Sequence, residues 1–471
     1  MKKSSIALSV IGLLGVVTVG GSYFSGKIAE EKFNEYIAKS NQYYQKHSFG
    51  GDFSAEIKDV KFERHWFSSD VSYTLDLKIG ESKIPLKSND KLYHGPFPMN
   101  RVMQGKFSPL AASLESNINT PAELKEWVAT PLLGTARTDI GYDESYSGVA
   151  TLNPIKGQYP EGSFKLELDK TVITFDTDKN FNGSMSYQTP VIKYTVNETN
   201  GIIDGADFQA EFKRDEAYRF LSNGKFDAKI KSIKISEPEN NDVILENFQS
   251  KGTQNIKDGR YISQSITNTD IKFAHLEKSA SLGKFTFDLD TDVDAKSYDG
   301  IMNALVHKPE ETTQIEQDVQ QLLAKQPKLN IKALNLENSK GKNHLSLAVN
   351  LAKLPSEDEN KSLKETLSAF KESALNLVIN LPAVEEMMKQ FATLEPTANE
   401  QDSSSAIKAT MEEIKGQAVQ SGLFSVSDQE IKSNIVLDNG EVKLNGRTVS
   451  EEELQMAFFV IAIGLGGLLG N

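Results

Sequence analysis

Val71-Ser72-Tyr73-Thr74-Leu75-Asp76-Leu77-Lys78-Ile79 is the stretch that decides the fold class. Apolar and polar side chains alternate with a period of two, so an extended strand would gather every apolar group on one face. The pattern returns at Phe164, Leu166 and Leu168, and at Phe226, Ala228 and Ile230. It recurs at Phe285, Phe287, Leu289 and Val293, at Leu345, Leu347, Val349 and Leu351, and at Leu375, Leu377, Ile379 and Leu381. Polar turns such as Asn180-Phe181-Asn182-Gly183 and Lys257-Asp258-Gly259 separate these runs. Asp438-Asn439-Gly440 joins Ile435 and Leu437 to Val442 and Leu444, a strong hairpin signal. The expected class is α+β, predominantly antiparallel β in a repeated meander. Strands with one apolar face must cover it, either by closing into a packed sandwich or by curling into an elongated trough.

Working outward, helices are expected at few places. Thr120-Pro121-Ala122-Glu123 offers a cap, a first-turn proline and a capping-box acid ahead of Leu124 and Trp127. Ile315, Val319, Leu322 and Leu323 follow Pro309 at helical spacing, as do Leu363, Leu367 and Phe370, and Ile407, Met411 and Ile414. Thr397 to Ser405 is polar and reads as a loop. Ser450 and Glu453 form a second capping box. Between the period-two runs and the chain start, Ile28, Phe33, Ile37 and Tyr44 suggest a helical stalk that Gly50-Gly51-Asp52 would end.

Both ends of the chain are apolar. Lys2 and Lys3 precede an uncharged run from Ser4 to Gly26, with Ile6, Leu8, Ile11, Leu13, Leu14, Val16, Val17 and Val19 at its heart. It exceeds the roughly 20 residues a bilayer-spanning helix needs and the about 7–15 of a cleaved signal's apolar stretch. It therefore reads as an uncleaved signal anchor. The leading lysines put the N-terminus in the cytoplasm and export the bulk. The last stretch, with Phe458, Phe459, Ile461, Ile463 and Leu465, is shorter than a full span. It reads as a helix packed on the β layer or touching the membrane. The expected organisation is an anchor over 1–26, a stalk over 27–48, a β-rich region over 49–305, a mixed α/β region over 306–449 and an apolar helix over 450–471.

Composition narrows the function. With 52 basic and 65 acidic side chains the net charge is −13, the wrong sign for a nucleic-acid binder. The absence of cysteine excludes disulfides, thiolate metal sites and cysteine nucleophiles. His47, His65, His94, His275, His307 and His344 form no local zinc-ligand pair, and no GxSxG elbow occurs. Gly21-Ser22-Tyr23-Phe24-Ser25-Gly26-Lys27 imitates a phosphate loop, but Ile28 stands where a hydroxyl should hold magnesium. Asp288, Asp290, Asp292, Asp294 and Asp299 imitate a calcium-loop register. Val293 replaces its turn glycine, and the interleaved Phe287 and Leu289 favour a strand with an acidic solvated face. His94-Gly95-Pro96-Phe97-Pro98 fixes a rigid turn that holds Phe97 outward, with His94 as a structural hydrogen-bonder. No catalytic residue, metal or cofactor is expected.

That pentapeptide carries a resemblance. With Met1-Lys2-Lys3, Gly26-Lys27-Ile28, Phe67-Ser68-Ser69, Ile140-Gly141-Tyr142, Asn338-Ser339-Lys340-Gly341, Asn445-Gly446 and Ser450-Glu451, it resembles the YdgA-like family of bacterial envelope proteins of unknown function. The resemblance implies a Gram-negative inner-membrane protein facing the periplasm, with self-association as a homo-oligomer, and it supplies no catalytic residues. The expected function is non-enzymatic binding of a lipid or another apolar envelope ligand, with membrane lipids as partners. The alternative is a self-associating scaffold with a solid core and no ligand.

Overall fold

Period-two patterning with tight turns builds antiparallel strands in chain order, each paired with the one before it or close to it. A computed structural model describes residues 53–453, apart from 80–81, 159–163, 181, 239–240, 308–311, 352–366, 395–399, 439 and 451, together with Ala38 and Asn41. The expected anchor, most of the stalk and the apolar tail lie outside the described residues. Among those described, no helix is long and apolar enough to cross a membrane. The strands group into two compact units, which meet in sequence between β12 and β13.

The first unit contains β1 (Phe53–Arg64), β2 (Ser68–Ile79), β3 (Ser82–His94), helix α1 (Met99–Val102), β4 (Ala112–Asn119), β5 (Leu132–Ile140) and β6 (Tyr146–Leu152). β7 (Ile155–Gln158), β8 (Phe164–Leu168), β9 (Thr171–Thr177), β10 (Gly183–Val196), β11 (Thr199–Arg214) and β12 (Ser222–Glu237) follow. Pairing runs β1-β2-β3-β4-β5-β6-β9-β10-β11-β12, all antiparallel. β10 pairs β9 through residues 183–188 and β8 through residues 192–196. Pro190 sits at the handover, where a residue without an N–H leaves no ladder donor stranded.

Directly opposed residues share a face, so the register shows what the core is made of. One row is Val71, Asp90, Ser116, Ala136, Ala150 and Ile173. Its neighbours add Leu75 with Leu86 and Leu77 with Ile84. β7, β8 and the turn around Leu124 and Val128 add Ile155, Phe164, Leu166 and Leu168 to the same core. Leu77 is 0% exposed. Burying such a side chain is worth about 1.5–3 kcal/mol.

The capping box expected at Thr120 does not start an α-helix. The Thr120 hydroxyl donates to Thr130 O (2.8 Å), closing the 120–131 loop, and only a 3-10 turn forms over Ala122–Leu124. With its cap occupied and Pro131 close behind, no longer helix can propagate. At β1, which pairs only with β2 among the described strands, Asn41 bonds both backbone groups of Ile57 (Nδ2 to O 2.8 Å, N to Oδ1 2.7 Å). That covers part of an otherwise open strand edge.

The second unit contains β13 (Asn241–Lys257), β14 (Arg260–His275), β15 (Lys278–Asp294), β16 (Lys328–Asn338), β17 (Gly341–Asn350), β18 (Ser373–Asn380), β19 (Ser425–Val426), β20 (Glu430–Asp438), β21 (Glu441–Leu444) and β22 (Arg447–Thr448). Pairing runs β13-β14-β15-β16-β17-β18-β20-β21-β22, with β19 also on β20. Asp258 and Gly259 both take positive φ (52° and 73°), the primed turn that suits a twisted hairpin.

Helix α2 (Ala295–His307) begins in this unit, and α3 (Thr312–Ala324), α4 (Leu381–Ala392) and α5 (Glu400–Ser421) follow. Two boundaries correct the sequence reading. Leu381 opens α4 rather than ending a strand, because Asn380 caps Ala383 N (3.0 Å) and Pro382 stands in the first turn. Glu400 to Ser405 is the start of α5 rather than a loop, since the apolar Ile407, Met411 and Ala418 pull the whole helix onto its core. The late capping box does form: Ser450 N donates to Glu453 Oε2 (2.9 Å), and Glu453 N to Ser450 Oγ (3.2 Å).

Candidate functional site

The His94-Gly95-Pro96-Phe97-Pro98 turn lies where the first unit's chain leaves β3. His94 Nε2 and Ser69 Oγ are hydrogen-bonded at 2.9 Å, and His94 N donates to Phe67 O at 2.9 Å. Burial lowers the His94 pKa, while the Trp66 carbonyl accepts from the ring and opposes that shift. Ser69 is wholly buried. Among the described residues no carboxylate is bonded to the His94 ring, so the pair lacks the orienting member of a nucleophilic triad there. A Cβ at Gly95 would collide with the carbonyl oxygens of Leu110 and Ala111, so only glycine fits there.

Past the turn, Pro98 is buried and α1 lies on the other face of β4 and β5. Arg101 pairs with Asp139 at 2.9 Å, both side chains 9% exposed. Ser113 Oγ donates to Asp139 Oδ1 (2.7 Å), and Asn100 Nδ2 donates to Ser113 Oγ and Glu115 Oε1 (both 3.0 Å). Ala111 N donates to Ile140 O (2.9 Å), next to Gly141 and Tyr142. Three segments that carry the family resemblance, Phe67 to Ser69, His94 to Pro98 and Ile140 to Tyr142, are therefore neighbours. Around them stand exposed apolar side chains: Trp66 (93% exposed), Phe67, Phe97, Met99, Met103, Phe107 and Tyr142. The sequence reading identified only Phe97; the signal for the others was apolar residues in turns, where nothing in a strand pattern requires them.

The second unit places the family segment Asn338 to Gly341 at the β16–β17 turn. There Asn338 Nδ2 donates to Ala383 O (2.9 Å), and a Cβ at Gly341 would collide with Asn380, seating the start of α4. Asn445 and Gly446 take positive φ in the β21–β22 turn. The aspartate series lies on strand β15 and the elements after it, and four of its five side chains have partners of their own. Asp290 pairs with Lys332 (2.7 Å) and Asp292 with Arg260 (2.7 Å). Asp294 accepts from Ser297 N (2.9 Å), and Asp299 from Phe220 N (2.7 Å). Among the described residues, no cluster of histidine or acidic groups is arranged to hold a metal ion.

The other feature of the second unit is the face of its sheet. Register aligns Phe287, Leu334, Leu345 and Leu377 in one row, and Leu289, Ile331, Leu347, Leu375 and Ile435 in the next. Leu329 and Val349 stand beyond them. None of these side chains is buried: most are half-exposed, and Leu329 and Leu334 are 38% and 39% exposed. Helices α4 and α5 cover the end of this face at Ile379 and Ile431, where Leu381, Ile407 and Met411 pack. Phe391 meets Phe273 with ring centroids 5.3 Å apart. The strands were legible in sequence; that the described residues leave them half-exposed was not.

Against known proteins, a family model described as a bacterial protein of unknown function (DUF945) matches residues 1–452. The chain belongs to this family. It is 22% identical to protein YdgA of Escherichia coli K12, over 99% of this chain and 98% of that one. It is 25% identical to an uncharacterized protein of Haemophilus influenzae, over 65% of this chain and 86% of the relative. This agrees with the resemblance read from the short motifs, and the molecular function of the family is unknown.

Proposed function

We propose that the chain is a non-enzymatic envelope protein that binds acyl chains of a lipid, or a comparably apolar ligand, on the half-exposed face of its second unit. The carrying observation is the double row from Phe287 and Leu289 across to Leu377 and Ile435, apolar over several strands yet without a buried member. Apolar surface left accessible over that extent marks an interaction site rather than ordinary surface. The proposal places the bilayer anchor at Ser4 to Gly26, with a cytoplasmic N-terminus and a periplasmic bulk, on the strength of hydropathy and flanking lysines. Such an address keeps the apolar face close to a lipid source. The sealed core of β2 through β9 suits the scaffold alternative only for that part of the chain.

The test is to express residues 28–453 without detergent, extract the purified protein and identify what comes off by mass spectrometry. A stoichiometric lipid is expected, and a Leu347→Asp variant of unchanged circular dichroism should lose it. A folded, monomeric protein with no lipid would sink the proposal. A lipid-free dimer that Leu347→Asp splits would transfer the face to a second copy and favour the scaffold.

A further inference from the structure

The exposed apolar side chains at one end of the first unit call for a separate explanation. They come from three loops: Trp66 and Phe67 between β1 and β2, Phe97, Met103 and Phe107 around α1, and Tyr142 between β5 and β6. The loops are tied to one another through backbone bonds. His94 N reaches Phe67 O, Gly95 N reaches Ala111 O, and Ala111 N reaches Ile140 O, each at 2.9 Å. The Arg101–Asp139 pair holds α1 from beneath, so the side chains are presented by a rigid base. A tryptophan 93% exposed beside phenylalanine and methionine is unfavourable in water. Aromatic rings of this amphipathic kind sit well at the headgroup level of a bilayer. Arg64 and Lys106, close in the chain to Trp66 and Phe107, are exposed cations suited to anionic headgroups, while Asp143 and Glu144 follow Tyr142.

We infer that this end of the first unit docks on the surface of a phospholipid bilayer, with Trp66 as its deepest residue. The bilayer is the one that Ser4 to Gly26 would span, so the inference rests on the anchor part of the proposal above. The reach agrees. Asn41 pins the chain to Ile57. From there to Trp66 is nine residues, seven of them in β1, about 30 Å at most. The fourteen residues from Lys27 to Asn41 span about 21 Å as the helical stalk expected from the sequence and about 50 Å at most if extended. With β1 tilted toward the bilayer, either length lets the tip return to it.

The test uses the full chain in liposomes whose acyl chains are brominated at a known depth. The sequence holds two tryptophans, and the other, Trp127, packs against Phe164 in the core (centroids 6.2 Å). Shallow bromines should quench the emission, deep ones less, and the effect should vanish in Trp66→Phe. Protein released by alkaline carbonate would remove the anchor and this inference with it. Protein that resists carbonate while Trp66 emits as a water-exposed indole would keep the anchor and overturn the docking. A blue-shifted Trp66 insensitive to bromine would mean that a protein surface covers the patch, which also overturns it.

Discussion

The two units are built from the same kind of strand and end differently. In β2 through β9 the apolar faces meet one another, and Leu77, Ile118, Leu133, Leu152 and Leu168 are almost completely sealed. In β15 through β18 equally apolar rows stay half-exposed, and among the described residues a helix pair lies over one end. Alternation thus sets which side chains share a face. Coverage is set by what else the chain supplies: β7, β8 and the turn at Leu124 in the first unit, α4 and α5 in the second. A face left partly open by the described residues is where a ligand is proposed to bind.

Substitutions can break or sharpen that contrast. The largest effect is expected at the buried ion pair. Arg101→Met strands the Asp139 carboxylate and should cost about 3–5 kcal/mol, read from chemical denaturation. A loss under 1 kcal/mol would mean the pair is not sealed. Next, Leu77→Ala should cost about 2–5 kcal/mol, because a cavity is left in a closed core. The chemically identical Leu347→Ala in the open face should cost well under half of that, and equal costs would erase the distinction.

A smaller effect separates the cores by pH. Asp90 is fully buried among Ser88, Ser116 and Tyr73, and burial pushes its pKa up to about 7. The folded state therefore holds a proton that the unfolded chain releases near its ordinary value of 3.8. Stability from this group is complete below pH 4 and falls as pH rises through 4 to 7, by a few kcal/mol at most. Asp90→Asn should flatten that slope, so its advantage over the parent chain should be larger at pH 8 than at pH 4.5. An equal difference at both pH values would contradict the assignment. Smallest should be Lys332→Ala, which removes an exposed partner of Asp290 and should change stability by less than about 1 kcal/mol.

Much of the fold was legible because period two is a local property. β2, β8, β12, β15, β17 and the β20–β21 hairpin lie where the alternation placed them. Errors fell where local chemistry had two uses. Thr120 could cap a helix or close a loop, and the loop won. Leu381 continued an alternating run, but Asn380 and Pro382 are helix-start residues that outweigh one more apolar position. The hydrogen bond between His94 and Ser69 was not readable, because the partners lie twenty-five residues apart. The open face and the aromatic end depend on what fails to pack against them, and a sequence does not display its uncovered surfaces.

The central claim is that the open face of the second unit holds acyl chains. A photoactivatable fatty acid fed to cells making the full chain would test it, with the labelled peptides identified by mass spectrometry. Adducts within 328–350 and 373–380, lost on adding Leu347→Asp, are the expected result. Labelling confined to the first 26 residues and the Trp66 end would contradict the claim, leaving a protein that touches lipid only where it meets the membrane.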